Sequence, residues 1–261
     1  MNASIGSKID QNEYKFTYII GYRHSSERIF NLKRVLDWIS RFSGVEVIIV
    51  EQDSSPKLTD FTLFGFKYIF TKSSMPYNRS WAFNVGLKAS NTEIIVFGDS
   101  DLIMNPDDFI SGLSLINNYE CVSPYSSVLD LDQSESNYKL ENLLSISRPG
   151  RGETDNQKIN LCGGIVIYRK ESILRIGGWN ERFIGWGGED NYQEFKTKNL
   201  ISWVENKCRC YHLWHTRPSP DNRWYPKTME LLNKLMSMSV DDTIKLINND
   251  SLRIGMRNKY A

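Results

Sequence analysis

Cysteine is scarce in this 261-residue chain, which carries four: Cys121, Cys162, Cys208 and Cys210. No pair has zinc-finger spacing, and Cys208-Arg-Cys210 is too tight for a usual disulfide or a C-x-x-C redox site. A disulfide-stapled scaffold is thereby excluded, and reduced thiols are expected. Charge of one sign is also lacking, since 32 basic and 31 acidic residues leave a net +1. No global field therefore gathers nucleic acid or an anionic membrane. Long apolar runs are missing: the longest, at 47–50 and 94–97, are far too short to cross a bilayer. Residues 1–14 are polar and show no basic stretch followed by an apolar one, so no secretory signal is read there. Together these absences predict a cytoplasmic protein without a nucleic-acid partner, in at most peripheral contact with the inner face of a membrane. The balance of 40% hydrophobic and 24% charged residues is that of a globular chain long enough to bury a substantial core.

What is present is an alternation of strand and helix patterns. Residues 16–21 (FTYIIG) and 45–50 (VEVIIV) are short, apolar and β-branched, the pattern of buried strands. Between them, 27–42 place Ile29, Leu32, Val35, Leu36 and Ile39 at helical spacing. That is a βαβ unit, which predicts parallel strands joined by a right-handed crossover. A third strand is expected near 66–70, a helix over 78–89 and a fully buried strand over 93–97, with ligands at the carboxyl ends of the strands. Beyond Pro106 a helix is expected over 107–118. Residues 126–158, rich in Ser, Asn, Asp, Glu and Gly, read as a long excursion with one short helix, the kind of loop that is functional or mobile. A strand at 164–168, helices at 170–176 and 190–198, a strand at 202–205 and amphipathic helices at 229–236 and 240–247 follow. The fold class is α/β. With no repeat and no clean linker, the simplest division is a single domain, with a nucleotide-binding-type half to about 105, a second half over about 106–225 and a helical tail over 226–261.

Four constellations carry chemistry. In Gly185-Trp186-Gly187-Gly188-Glu189-Asp190-Asn191, glycine permits a sharp turn and close approach to a ligand. Trp186 offers a flat apolar face of the kind sugar rings pack on, and the two acids are candidate general bases. Asp99-Ser100-Asp101 follows an apolar strand; residues two apart in extended chain share a side, so both carboxylates can face one ligand. Paired hard oxygens suit Mg²⁺ or Mn²⁺ bridging a diphosphate. His212 and His215, two of only three histidines, are candidate ligands for a Mn²⁺-like ion. In 77–86, Tyr77 can stack on a nucleobase and Arg79 can support a phosphate, ahead of a helix face made small by Ala82, Gly86 and Ala89. Each has a structural counterpart: a tight turn, a solvated helix cap, packed core histidines, and a helix lying close on its sheet. Arg148 and Arg151 are available to an anionic group or to solvent.

In their order and spacing these motifs resemble the GT-A fold glycosyltransferases, most closely the β-1,4-galactosyltransferase group and its bacterial relatives, from about Tyr18 to about His215. Tyr22-Arg23 resembles the first-strand Phe-Arg that contacts the nucleotide. Tyr77-Asn78-Arg79 with Asn84-Val85-Gly86 resembles the uracil-stacking aromatic and the helix behind it. Asp99-Ser100-Asp101 resembles the D-x-D motif, whose last Asp, here Asp101, holds the metal. Gly178-Trp179-Asn180 followed by 185–190 resembles the acceptor segment. By that match Asp190 is the general base, Trp186, Gly187, Gly188 and Glu189 line the acceptor sugar, and Glu189 also acts as positioning partner to Asp190. The family's remaining metal ligands are a Met and a His three residues on, positions that hold His212 and His215 here, so a His stands where the family has Met. Asn191 replaces a further Asp, and 216–226 resembles the segment that folds over bound donor.

The resemblance implies a Rossmann-like, mostly parallel sheet flanked by helices, and a donor site of Tyr22, Arg23, Asp53, Tyr77, Arg79, Asn84, Asp99 and Ser100. It implies Mn²⁺ or Mg²⁺ as cofactor, a UDP-sugar donor with UDP-Gal or UDP-GalNAc favoured, and a glycan or lipid-linked glycan acceptor. A single base without a nucleophilic partner implies inversion, in a setting such as bacterial surface polysaccharide synthesis. Two alternatives stay open. One is a retaining N-acetylgalactosaminyltransferase-like enzyme, which carries a similar W-G-G-E segment; the other is a non-catalytic nucleotide-sugar or glycan-binding module.

Overall fold

The computed structural model describes residues 14–58, 65–154, 157–216, 223–250 and 254–260. Its elements in chain order are β1 (Phe16–Tyr22), α1 (Ser26–Ile39), β2 (Val45–Asp53), β3 (Lys67–Lys72), α2 (Arg79–Ala89), β4 (Ile94–Gly98), β5 (Leu102–Met104), α3 (Pro106–Ser114), β6 (Cys121–Ser123) and β7 (Ser127–Asp130). There follow α4 (Leu140–Leu144), β8 (Val166–Arg169), α5 (Lys170–Arg175), α6 (Glu189–Leu200), β9 (Trp203–Glu205), β10 (Arg209–His212), α7 (Tyr225–Met236) and α8 (Val240–Asp250).

Seven strands form the main sheet in the order β3-β2-β1-β4-β8-β6-β9. The expected βαβ unit is there: β1 and β2 run parallel from Phe16↔Val45 to Tyr22↔Glu51, and β4 lies parallel on the other edge of β1. All seven β1 residues are buried, which is why this strand reads as a continuous apolar run rather than an alternation. Its side chains divide between two cores. Phe16, Tyr18, Ile20 and Tyr22 face the cluster that includes Leu32, Val35 and Trp38 of α1, while Ile19 faces Trp81, Phe83 and Val85 of α2. Trp38 and Phe109 meet edge-on at 5.2 Å, closing the first core; Phe83 and Trp179, 5.1 Å apart, close the second.

The small face of α2 does what its composition suggests. A Cβ on Gly86 would come within 2.3 Å of Ile19 Cγ2, and one on Gly21 within 3.1 Å of Ala82 Cβ, so this helix lies directly on β1. The close approach brings the start of α2 to the carboxyl ends of β1 and β4.

Four short strands, β5, β6, β7 and β10, depart from the expectation. The excursion over 126–158 opens with β7 and contains α4, and its backbone returns to pair Arg151 with Val128. Three of these strands form a second sheet, β5-β10-β7, at the mouth of the first. All four cysteines are free, as expected. Among the described residues no helix is long and apolar enough to cross a membrane.

Candidate metal and sugar-transfer site

The small sheet assembles one corner of the site by register. β5 starts directly after Asp101, and β10 runs antiparallel to it with His212 opposite Leu102. The pairing is locked where Leu213 N donates to Asp101 O at 2.8 Å. β7 runs parallel on the other edge of β10, with Asp130 opposite His212. Residues paired across strands place their side chains on the same face, and His212 Nδ1 lies 2.8 Å from Asp130 Oδ1. Asp130 is gripped in turn by Arg151, at 2.7 Å from Nε and 3.1 Å from Nη2.

Asp101, His212 and His215 offer one ligand atom each, all within 4.8 Å of one another. His215 Nε2 is 3.3 Å from Asp101 Oδ2, and His212 Nε2 is 4.0 Å from Asp101 Oδ1. A carboxylate and a carbonyl only accept hydrogen bonds. The Nδ1 of His212, against Asp130, and that of His215, 3.0 Å from Thr216 O, therefore both carry their proton. Each Nε2 is left to face Asp101. Burial would raise the Asp101 carboxyl, but the His215 hydrogen bond and the charge of both imidazoles hold it below its ordinary value. His215 is raised, chiefly by that same bond. The contact between His215 Nε2 and Asp101 therefore favours the protonated form of this ring. One carboxylate and two imidazoles with outward-tied Nδ1 atoms are a donor set that fits Mn²⁺ or a similar divalent ion.

The second corner gathers acids around one arginine. Arg79 opens α2, is 8% exposed, and lies over the rings of Phe83 at 4.6 Å and Trp179 at 5.0 Å. Its Nε donates to Asp99 Oδ1 at 2.6 Å, Nη1 to Asp190 Oδ1, and Nη2 to Gly164 O at 3.3 Å. Asp190 belongs to the first turn of α6, whose N-cap is Gly188 at φ +90°. Gly185 and Gly187 also have positive φ, of +86° and +104°, so this turn depends on residues without a Cβ. Gly185 N donates to Tyr77 O at 2.9 Å, tying the turn to the segment before α2. Burial, with Glu189 and Asp99 adding to it, pushes the Asp190 carboxyl up to about 8 against the pull of Arg79. Glu189 and Asp99 are raised as well, both by burial first. Glu189 Oε2 is buried without a hydrogen-bond partner.

The other expected site residues sort themselves by burial. Arg23 Nη1 donates to Met75 O at 2.6 Å, so it braces the segment before Tyr77. Asp53 ends β2 and caps Ser54 N at 2.7 Å. Tyr77 is half-buried with its hydroxyl against Gly21, and Ser100 is buried between the two acids of its motif. Tyr22 is fully buried, its hydroxyl 3.2 Å from His24 Nδ1, and presents no open face. Asn84 lies behind the site rather than in it. Its amide donates to Trp179 O and Glu181 Oε1, and its Oδ1 accepts from Trp179 N at 2.9 Å. Arg79 grips two carboxylates rather than standing free for a phosphate. Trp186 is 60% exposed and stacks on Tyr225 at 5.7 Å. Arg148 and Arg151 are neither free nor merely solvated, being paired with Glu135 and Asp130.

Two residues were missed. Asp130 stands in a stretch whose strand is invisible to pattern. Arg28, in the first turn of α1, lowers the carboxyls of Asp99 and Asp101 through its charge and also acts on Tyr77 and His215. Its neighbour Glu27 accepts from Thr216 N and Oγ1, both at 2.8 Å, which pins the chain after His215 to α1. Of the loop expected to fold over a donor, 217–222 lie outside the described residues.

Known proteins resemble this chain in part of its sequence and in its fold. A family model described as the N-terminal domain of galactosyltransferase matches residues 153–201, which contain the glycine-tryptophan turn and all of α6. β-1,4-Galactosyltransferase 4 of Cricetulus griseus is 24% identical over 192 residues, 72% of this chain and 45% of that protein. The chain thus spans less than half the length of that relative. Among solved structures, a Drosophila β-1,4-galactosyltransferase 7 complex with manganese, UDP-Gal and xylobiose superposes with a TM-score of 0.53 at 12% identity, covering 82% of this chain and 79% of that one. Staphylococcus aureus TarS 1–349 gives 0.57 at 17% identity, covering 92% and 71%. The chain has the GT-A fold of these structures and is similar in sequence to β-1,4-galactosyltransferases.

Proposed function

We propose that the chain is a metal-dependent, inverting glycosyltransferase that moves a hexose or N-acetylhexosamine from a UDP-sugar to a hydroxyl of a glycan acceptor, with UDP-Gal or UDP-GalNAc as donor. One observation carries this reading: Arg79 joins Asp190 to Asp99, two residues from the Asp101 of the Asp101–His212–His215 cluster. Asp101, His212 and His215 hold a divalent ion, Mn²⁺ before Mg²⁺ because two of the three donors are imidazole nitrogens. When bound, such an ion offsets the charge that builds on a departing diphosphate. Arg28 adds positive charge on the same side.

Asp190 takes the acceptor proton at a carboxylate oxygen. It suits the role better than Glu189, because its side chain is 31% exposed whereas Glu189 Oε2 is sealed from solvent. Its raised pKa brings it toward neutrality, where proton transfer is most efficient, and general-base assistance of this kind is worth about 10²–10⁴-fold. Arg79 holds Asp190 and Asp99 in place until ligands arrive. Trp186, exposed over the turn, packs on the acceptor sugar. Synthesis of a bacterial surface polysaccharide, with a lipid-linked acceptor, is the setting this reading favours.

The test is a screen of UDP-Gal, UDP-GalNAc, UDP-Glc and UDP-GlcNAc for UDP release with and without Mn²⁺, followed by NMR of the product. Mn²⁺-dependent release with one donor and a β-linked product is expected. An α-linked product would make the enzyme retaining. Donor binding without release in the presence of varied glycan acceptors would make it a binding module.

A further inference from the structure

The mechanism above leaves unused the half-buried pair Arg151–Asp130 that stands behind His212. We propose that Asp130 is a positioning residue for the metal site, fixing His212 in the one tautomer and orientation that turn its Nε2 toward Asp101. The inference rests on the metal reading given above.

Three observations carry it. The register of β7 on β10 sets Asp130 beside His212, so the contact follows from the backbone and not from a chance rotamer. The 2.8 Å bond joins Oδ1 to Nδ1, the nitrogen facing away from Asp101. Asp130 is itself fixed by two bonds from Arg151, and the Arg151 backbone pairs with Val128 of the same strand, at 2.8 and 2.9 Å. A neutral imidazole alone interconverts between two tautomers, and half of its rotamers point the wrong nitrogen at an ion. A carboxylate behind Nδ1 removes both freedoms and makes Nε2 a stronger donor. His215 has the same arrangement with a weaker acceptor, the Thr216 carbonyl at 3.0 Å. The two imidazoles are therefore held differently, His212 by a side-chain carboxylate and His215 by a backbone carbonyl.

Two measurements test the proposal. The first is ¹⁵N NMR of His212 in metal-free protein, which should show Nδ1–H in the parent and a tautomer mixture in Asp130→Ala. The second is Mn²⁺ affinity by EPR titration, with melting temperature followed in the same samples. Loss of an outer partner of a ligating histidine weakens metal binding by about 10- to 100-fold, and Asp130→Ala should fall in that range. Asp130→Asn, which can still accept from Nδ1 but carries no charge, should fall between it and the parent. Arg151→Met, which removes the brace but keeps the carboxylate, should cost less than Asp130→Ala even where it lowers the melting temperature as much. Asp130→Ala binding Mn²⁺ within about twofold of the parent overturns the proposal; so does Nε2–H in the parent, or affinity that tracks melting temperature across all three variants. Undiminished Mn²⁺ binding in Asp101→Asn overturns the metal reading itself, and the proposal with it.

Discussion

At the metal corner the atoms that face a ligand are what remains after each imidazole has been tied back; at the acid corner the charged atoms are spent on one another. Asp101, His212 and His215 direct oxygens and Nε2 nitrogens at a common point, with Asp130 and Thr216 holding the far sides of the rings. Asp99 and Asp190, by contrast, share the single guanidinium of Arg79. The first arrangement is set by strand register and is ready before a ligand comes. The second is balanced internally, and a donor diphosphate or an acceptor hydroxyl must compete with an existing ion pair. Arg79 is buried while Asp99 and Asp190 are each about a third exposed, so the cluster is held until something of comparable charge replaces it. Geometry is fixed at the proposed metal site and adjustable at the proposed base.

The largest effect should come from the acid corner. Asp190→Asn is expected to lower the turnover rate by about 10²–10⁴-fold, the usual worth of a general base, while Mn²⁺ and UDP affinities stay close to those of the parent. Stability should not fall with it. Asp190 has a folded-state pKa raised to about 8, so it favours folding when protonated, and that contribution is lost as pH rises through the raised value. Asparagine carries no such loss, and above about pH 8 the variant should melt no lower than the parent. A variant that turns over normally sinks the base assignment. One that melts far lower at pH 9 sinks the account of the cluster.

The metal corner should respond to pH by proton competition. His215 is raised by its hydrogen bond to Asp101, so the proton with which an ion must compete is held to a higher pH than on an ordinary histidine. Below that raised pKa, Mn²⁺ affinity should fall by up to about tenfold per pH unit, and the fall should begin at a higher pH than an ordinary histidine would give. EPR titrations at several pH values measure it. Affinity that is flat from pH 6 to 8 would mean that the histidine is not a ligand.

How much of this was legible in the sequence depended on length and burial. β1, β2 and β4 were readable because each carries a run of consecutive apolar, largely buried residues, and α1 because its buried positions recur at helical spacing. β7 (SVLD) and β10 (RCYH) span four residues each and mix polar with apolar side chains, so no periodicity marks them. The role of Asp130 was invisible for that reason: it depends on a pairing between strands 82 residues apart. His212 and His215 were found by residue type alone, but which nitrogen faces the ion is a tertiary fact. Asn84 went the other way. Motif spacing placed it at the donor, whereas the amide is consumed by Trp179, 95 residues on. Arg79 was assigned to a phosphate because nothing local shows that Gly188 would cap a helix carrying Asp190 back to it.

The smallest effect should come from Trp186, and it separates binding from chemistry. The ring is 60% exposed and touches the rest of the molecule through its stack on Tyr225 at 5.7 Å. Substitution at so open a position should leave stability within about 0.5 kcal/mol. Fully burying an apolar side chain is worth about 1.5–3 kcal/mol and a sugar would cover only one face of this ring, so Trp186→Ala should raise the acceptor KM by a few-fold to roughly tenfold. Because the Trp186 contact lies outside the Arg79 cluster, the pH dependence of kcat should keep its shape. Trp186→Phe keeps a flat ring and should recover most of the loss. If Trp186→Ala instead lowered kcat and moved its acid limb, the glycine turn would be transmitting the change to Asp190, and the two corners would be less separate than their hydrogen bonds imply.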